Sequence, residues 1–106
     1  MYVKVAFPIP HREYFTCRIN PDLARSAEPG MLVMAPFRNQ SAVGVILEIT
    51  DVCDLPEREV REINGFGDLD LTVTPELMHL ALLTSRRYGT TPGIVFKAAL
   101  PPGSLQ

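Results

Sequence analysis

The chain has 106 residues, of which 46% are hydrophobic and 21% charged, and its formal net charge is −2. These values fit one small globular domain and exclude a two-domain protein, a long disordered chain, a collagen and a coiled coil. Because no stretch approaches the ~20 apolar residues that cross a bilayer, and the N-terminus lacks a signal-peptide pattern, we expect a cytoplasmic protein.

Short strand patterns fill the first half of the chain. Residues 2–7 alternate between two faces, which is the period of a strand with one buried side. Residues 14–19, 31–35 and 42–49 have the aromatic and β-branched content of three further strands. Gly44 within the last of these predicts a bulge or a bend, as a small barrel requires.

Turn residues separate these strands. Residues 20–22 and 28–30 bracket a loop, and the polar residues 38–41 predict a hairpin tip. The chain then becomes acidic and irregular, with a short candidate strand at residues 59–63 and a turn at residues 64–67.

Two helices are predicted in the last third of the chain. Thr74 is a good N-cap, Pro75 suits the first helical position, and Gly89 can end the helix in the left-handed conformation. A second helix is expected over residues 93–100. The apolar stripe of the first helix is predicted to consist of Leu77, Leu80, Ala81, Thr84 and Tyr88.

This order of elements predicts an α+β fold. We expect a small curled β-sheet or barrel of about five or six short strands, followed by two C-terminal helices. The whole chain, residues 1–106, is predicted to be one domain with a β part (1–73) and a helical part (74–106).

Charge is distributed unevenly along the chain. Residues 1–46 carry a net charge of +2, residues 47–76 carry −7, and residues 77–106 carry +3. A protein that holds many phosphates needs a broad cationic surface, and the acidic middle segment would repel a polyanion. Any nucleic-acid contact is therefore expected to be local.

No motif of an autonomous catalytic centre is present. The sequence has no phosphate-binding loop, dinucleotide fingerprint, zinc-protease motif or serine-hydrolase elbow. Cys17 and Cys53 lack metal-ligand spacing, and His11 and His79 are isolated from other ligand types. We therefore predict a non-catalytic domain without a cofactor or metal of its own.

The aromatic run at residues 14–17 has two interpretations. It fits a core strand, which would account for its aromatic residues. It also fits a one-nucleotide pocket, in which a strand edge presents an aromatic face, a hydroxyl and backbone groups. Arg38 and Arg61 are either ordinary surface arginines or contacts to one phosphate each.

Eight short segments, each weak alone, form a specific series by their order and spacing. They are residues 5–10 (VAFPIP), Phe15, 29–37 (PGMLVMAPF), 44–49 (GVILEI), 74–77 (TPEL), 87–88 (RY), 92–93 (PG) and 99–102 (ALPP). With this series the chain resembles, from end to end, the N-terminal domain of the primosomal replication-restart helicase PriA.

The resemblance implies a domain that binds the 3′-terminal nucleotide of a DNA strand at stalled forks, with little base preference. The alternative is a protein-interaction or positioning module with a degenerate pocket. The implied partners are single-stranded DNA 3′ ends, forked DNA, the remaining helicase domains, other primosome proteins and single-stranded-DNA-binding protein, with no membrane. ATP with magnesium and zinc would belong to the rest of a longer ATP-dependent 3′–5′ DNA helicase in the cytoplasm, associated with the nucleoid.

The family's pocket strand, usually Phe-Asp-Tyr, falls on residues 15–17 of this chain. Thr16 therefore replaces the acidic acceptor for the 3′-hydroxyl, and Cys17 replaces the tyrosine. Arg38 replaces the family's glycine after Pro-Phe, and Arg61 matches a basic position. A steric wall beyond the acceptor would distinguish a strand end from a continuing strand. The DNA-binding residues that the resemblance implies are Phe15, Thr16, Cys17, Phe37, Arg38 and Arg61.

Overall fold

The fold was obtained as a computed structural model, which describes residues 1–37, 39–53 and 55–105. The strands are β1 (Tyr2–Ala6), β2 (Phe15–Arg18), β3 (Leu32–Phe37), β4 (Gln40–Thr50), β5 (Arg61–Glu62) and β6 (Gly65–Phe66). The helices are α1 (Pro21–Ala24), α2 (Pro75–Tyr88) and α3 (Pro92–Ala99), and a 3-10 turn spans Glu57–Glu59. The predicted α+β class, with short strands followed by two C-terminal helices, is confirmed.

The strands form one curled sheet in the order β5-β2-β1-β4-β3-β6. Neighbouring strands are antiparallel except for β2 and β5, which pair in parallel and place Cys17 opposite Arg61. Parallel pairing requires a long connection, and here everything between residues 19 and 60 separates the two strands. The structure thereby brings a distant arginine to the edge of β2.

Each face of the sheet has its own apolar cluster, because successive side chains of a strand point to opposite faces. The inner cluster consists of Val3, Val5, Phe7, Cys17, Ile19, Ala27, Val33, Ala35, Ile46 and Ile63. The outer cluster consists of Ala6, Leu32, Val45, Val73, Ala81, Phe96 and Leu105. The sheet thus packs against the helices on the outer side. The division into parts 1–73 and 74–106 stays a prediction.

A bulge does not occur at Gly44, so this part of the prediction is wrong, whereas the alternative of a bend stays a prediction. The pairing of β1 with β4 shifts between Lys4 and Val5, which leaves Leu47 as the extra residue. Gly44 is instead required for close packing, since a Cβ there would lie 2.6 Å from Val5 Cγ1 and 2.8 Å from the carbonyl oxygen of Ala6.

Two short elements differ from the sequence-based expectation. Residues 20–22 were expected in a loop, but the Asn20 side chain accepts a hydrogen bond of 2.9 Å from the backbone N–H of Leu23 and caps α1. Residues 64–67 were expected to form only a turn, but β6 pairs with Val33 and Met34 of β3. Such pairing depends on a distant strand, which local composition does not reveal.

The ends of α2 follow the prediction. The Thr74 hydroxyl accepts a hydrogen bond of 3.1 Å from the backbone N–H of Leu77, and Pro75 opens the helix. Gly89 ends it with φ of 68°, in the left-handed region where glycine carries no Cβ penalty. In the part of the chain that the structure describes, no helix is long and apolar enough to cross a membrane.

The buried face of α2 is rotated from the predicted stripe. Ala81 and Ser85 are buried, whereas Leu80 is 57% exposed and Tyr88 is 72% exposed. Ser85 is accommodated because its hydroxyl donates a hydrogen bond of 3.0 Å to the Leu82 carbonyl. The stripe prediction was therefore wrong at Leu80 and Tyr88, since Leu77 and Met78, together with the small residues Ala81 and Ser85, form the buried side of α2.

The start of α3 is attached to the segment that follows β1. Thr91 stands at the N-cap position, but its hydroxyl makes no capping bond to the helix and instead donates to the Ile9 carbonyl at 2.8 Å. Gly93 is buried directly against the backbone of Phe7 and Pro8. These two contacts position the residues that lead from β1 into β2.

Candidate nucleic-acid interface

A cleft of about 400 Å³ lies beside β2, hereafter the β2–β5 cleft. It is lined by residues 15–17 of β2, by residues 58–61 and by Arg12 and Leu55. β5 pairs only with Cys17 and Arg18, so within the described ranges no strand pairs with the outer edge of Phe15 and Thr16. Backbone groups on such an edge are available to a ligand.

Three phenylalanine rings meet at this end of the sheet. Phe7 and Phe15 lie 5.7 Å apart edge to face, and Phe15 and Phe37 lie 5.9 Å apart in the same way. Phe7 and Phe37 stack with centroids 6.4 Å apart. Phe7 is buried, whereas Phe15 and Phe37 are half-buried and keep part of their surface accessible. Aromatic surface held in this way is suited to stacking against a nucleobase.

Two arginines lie against these rings. The Arg12 guanidinium is 4.3 Å from the centroid of Phe15. The Arg61 guanidinium is 4.7 Å from the centroid of Phe37 and 5.7 Å from that of Phe15. At these distances the rings attract the cations and hold them at the cleft. The structure therefore brings together three of the residues predicted from the sequence, namely Phe15, Phe37 and Arg61.

Thr16 lines the same cleft, but its side chain faces away from the Phe15 ring. It pairs in register with Lys4 of β1, and residue alternation places it on the face opposite Phe15. Thr16 is only 4% exposed. It also lines a second depression of about 270 Å³ under residues 11–14, which shares Arg12 and Leu55 with the β2–β5 cleft. A ligand on the strand edge would therefore meet the ring and the hydroxyl on different sides.

Cys17 belongs to the inner core. Its side chain has no exposed surface, and burial raises the pKa of the thiol to about 11, against a smaller opposing effect of the nearby Arg61 cation. The thiol is therefore protonated at neutral pH and packs as a small apolar side chain.

Other residues of the site were not identified from the sequence. Arg12, Leu55 and Arg58 line the cleft, and Phe7 completes the aromatic cluster. For Phe7 the sequence did contain a signal, because the alternation of residues 2–7 puts it on the same face as Val5. Val5 pairs in register with Phe15, so Phe7 comes close to the Phe15 ring. Residues 55 and 58 gave no such signal, because their position depends on the parallel pairing of β5. The prediction for Arg38 lies outside the described residues.

A further groove of about 430 Å³ lies between the 10–13 segment and the end of α2. None of the described residues that were predicted to bind DNA lines this groove. Its opposite charges partly compensate each other, since Arg86 lies 4.0 Å from the Glu13 carboxylate. Among the residues with described positions, no group of three His, Cys, Asp or Glu side chains is arranged to hold a metal ion.

Comparison with protein families gives one match over nearly the whole chain. The model of the PriA 3′ DNA-binding domain (3′BD) matches residues 4–101 of the 106. No curated protein matches the chain. The family match confirms the resemblance drawn from the eight sequence segments.

Proposed function

Because this chain belongs to the PriA 3′ DNA-binding domain family, we propose that the β2–β5 cleft is where it receives the 3′-terminal nucleotide of a strand. The family establishes DNA 3′-end binding in replication restart by a non-catalytic domain. The position of the site, its residues and its tolerance of different bases are the proposal.

One observation carries the proposal: an accessible aromatic ring, an unpaired strand edge and arginines converge at one cleft. Phe15 supplies the ring, and Arg12 and Arg61 lie within 6 Å of it. The cleft volume of about 400 Å³ is within the range of small-ligand sites, roughly 300–1,000 Å³. One terminal nucleotide, rather than a long stretch of strand, is the natural occupant.

The predicted residues divide between direct contact and support. Phe15 and Phe37 provide stacking surface, Thr16 provides a hydroxyl at the strand edge, and Arg61 contacts phosphate. The phosphate contact of Arg38 rests on the sequence resemblance alone. Cys17 has a supporting role, because its buried thiol packs in the core behind β2, the strand that carries the site. Every base has a π face, so stacking predicts little base preference.

The direct test compares DNA strands that have a free 3′ end with strands that lack one. A fluorescent linear oligonucleotide is displaced from the 106-residue chain by four unlabelled competitors: linear, circular, 3′-capped with a bulky group, and 5′-capped with the same group. We expect the linear and 5′-capped strands to compete at least tenfold better than the circular and 3′-capped ones. Linear competitors that differ only in the last base should agree within about threefold. Equal competition by the circle contradicts the proposal.

A substitution at Phe15 locates the site. Phe15→Leu keeps an apolar side chain in the core but removes the aromatic face, and base stacking on such a face is worth about 1–3 kcal/mol. We expect a loss of affinity for the linear strand of about 5- to 150-fold. Phe66→Leu is the matched control, because Phe66 packs against the same inner cluster from β6 and does not line the cleft.

A second candidate is a positioning module that docks on the remaining helicase domains or on another primosome protein. It is favoured by the apolar residues Leu80 and Leu83 on the outer side of α2, which are 57% and 50% exposed. This candidate replaces the first if linear and circular strands bind equally while a Leu80→Lys, Leu83→Lys variant loses a protein partner.

A further inference from the structure

The β2–β5 cleft has an unusual balance of charge for an acidic chain. Arg12, Arg58 and Arg61 line it, and the described carboxylate on its wall is that of Glu59. None of the three arginines forms an ion pair with a carboxylate in the described part of the chain. Cations gathered in one concave site without carboxylate partners among the described residues favour an anionic ligand.

The neighbouring groove at the end of α2 shows the contrast. Its arginine, Arg86, lies 4.0 Å from Glu13, so its charge is already partly compensated within the protein. The C-terminus of α2 also directs its negative dipole end toward that region. Of these two clefts of similar volume, the β2–β5 cleft is better suited to an anion, because three arginines line it and none of them pairs with a described carboxylate.

Ring contacts limit the freedom of two of the three guanidinium groups. Arg12 lies on Phe15 at 4.3 Å, and Arg61 lies on Phe37 at 4.7 Å. A guanidinium that rests on a ring keeps its N–H donors, and its planar fork matches the oxygens of a phosphate group. Less rotamer freedom is then lost when an anion binds.

We infer that Arg12 and Arg58 are DNA-binding residues that act with Arg61 as a phosphate site for the end of the strand. The inference rests on the proposed function, since it takes the phosphate from the nucleotide that occupies the cleft. The ligand group is either the diester that joins the last two nucleotides or a monoester on the 3′ oxygen. Both present the same tetrahedral anion to the three guanidinium groups.

Salt dependence measures the number of phosphates that the arginines neutralise. For single strands the slope of log K against log salt is about −0.7 for each phosphate. We expect Arg12→Gln and Arg58→Gln each to weaken binding of the linear strand about tenfold and to make the slope less steep. The double variant should reduce the slope by at most ~0.7, because the arginines share one phosphate. Arg12→Lys should keep the wild-type slope, because it retains the charge. Arg25→Gln is the matched control, since Arg25 is exposed beside α1 and does not line the cleft.

Two competitors identify the source of the phosphate and the class of ligand. If a 3′-phosphorylated strand loses more affinity than a 3′-hydroxyl strand in Arg58→Gln, the monoester occupies the site, and equal losses assign the diester. Either result supports the inference. An acidic peptide of equal charge that competes as well as the oligonucleotide overturns it.

The failure of this inference is distinguishable from failure of the proposed function. If the linear strand still outcompetes the circle but both glutamine variants keep the wild-type slope, only the phosphate site is wrong. If the variants weaken circular and linear strands equally, the arginines do not serve the strand end, and the inference is again overturned. If the circle and the linear strand compete equally with the wild-type chain, the proposed function itself fails.

Discussion

Replacing Gly93 with alanine has two opposite effects on the free energy of unfolding. Gly93 is the second residue of α3, so helix propensity alone predicts that alanine stabilises the protein by at most about 1 kcal/mol. Its hydrogen, however, faces the backbone of the segment after β1. A Cβ at this position would overlap the carbonyl group of Phe7 and lie 2.9 Å from the nitrogen of Pro8.

The free-energy cost of overpacking at residue 93 should exceed the gain in helix propensity. The three atoms nearest the added carbon all belong to the backbone, so no side chain can rotate to make room. Overpacking costs about 1–3 kcal/mol, and occasionally more, and a rigid neighbour places the cost at the upper end. Subtracting the propensity gain leaves a net destabilisation of about 2 kcal/mol, which corresponds to a fall in Tm of roughly 8–16 °C for a domain of this size.

Urea unfolding followed by circular dichroism at 25 °C measures the free energy directly. Gly65→Ala is the matched control, because the nearest atom to its added carbon is Met34 Cε at 3.8 Å, an ordinary contact. We expect the control to change the free energy of unfolding by less than about 0.5 kcal/mol. A Gly93→Ala protein as stable as wild type, or more stable, would refute the reasoning that α3 packs directly on the Phe7 backbone.

Two further predictions concern buried polar groups. Since burial raises the pKa of the Cys17 thiol from 9.0 to about 11, the unfolded chain releases this proton first, and the free energy of unfolding should fall by about 2 kcal/mol as pH rises from 9 to 11. Urea titrations across this window should show that component disappear in Cys17→Ala, and an unchanged slope would contradict it. Thr91→Val removes the donor to the Ile9 carbonyl and should cost about 1–2 kcal/mol in the same assay. Thr74→Val should lose a comparable amount of stability because it removes the N-cap of α2. If Thr74→Val is destabilised but Thr91→Val is as stable as wild type, the long-range hydrogen bond of Thr91 contributes nothing to stability.

Local patterns determined the elements whose causes are local. The N-cap at Thr74, the left-handed end at Gly89 and the alternation of β1 depend on residues a few positions apart, and the structure follows each of them. The same capping signal was present at Asn20, where it was not recognised as a helix start. The order of short segments, from residue 5 to residue 102, also indicated the family, whose model matches residues 4–101.

Only the tertiary structure decided which residues line the β2–β5 cleft and which form the aromatic cluster beside it. The parallel pairing of β5 with β2 places Arg61 beside Cys17, and the curl of the sheet brings Phe37 to Phe15 across strands that are not adjacent. Strand alternation then turned Thr16 away from the ring that precedes it. These contacts join positions far apart in sequence, and no periodicity within either segment encodes its partner. The amino-acid sequence thus specified the parts of the site, whereas their convergence came from long-range strand pairing.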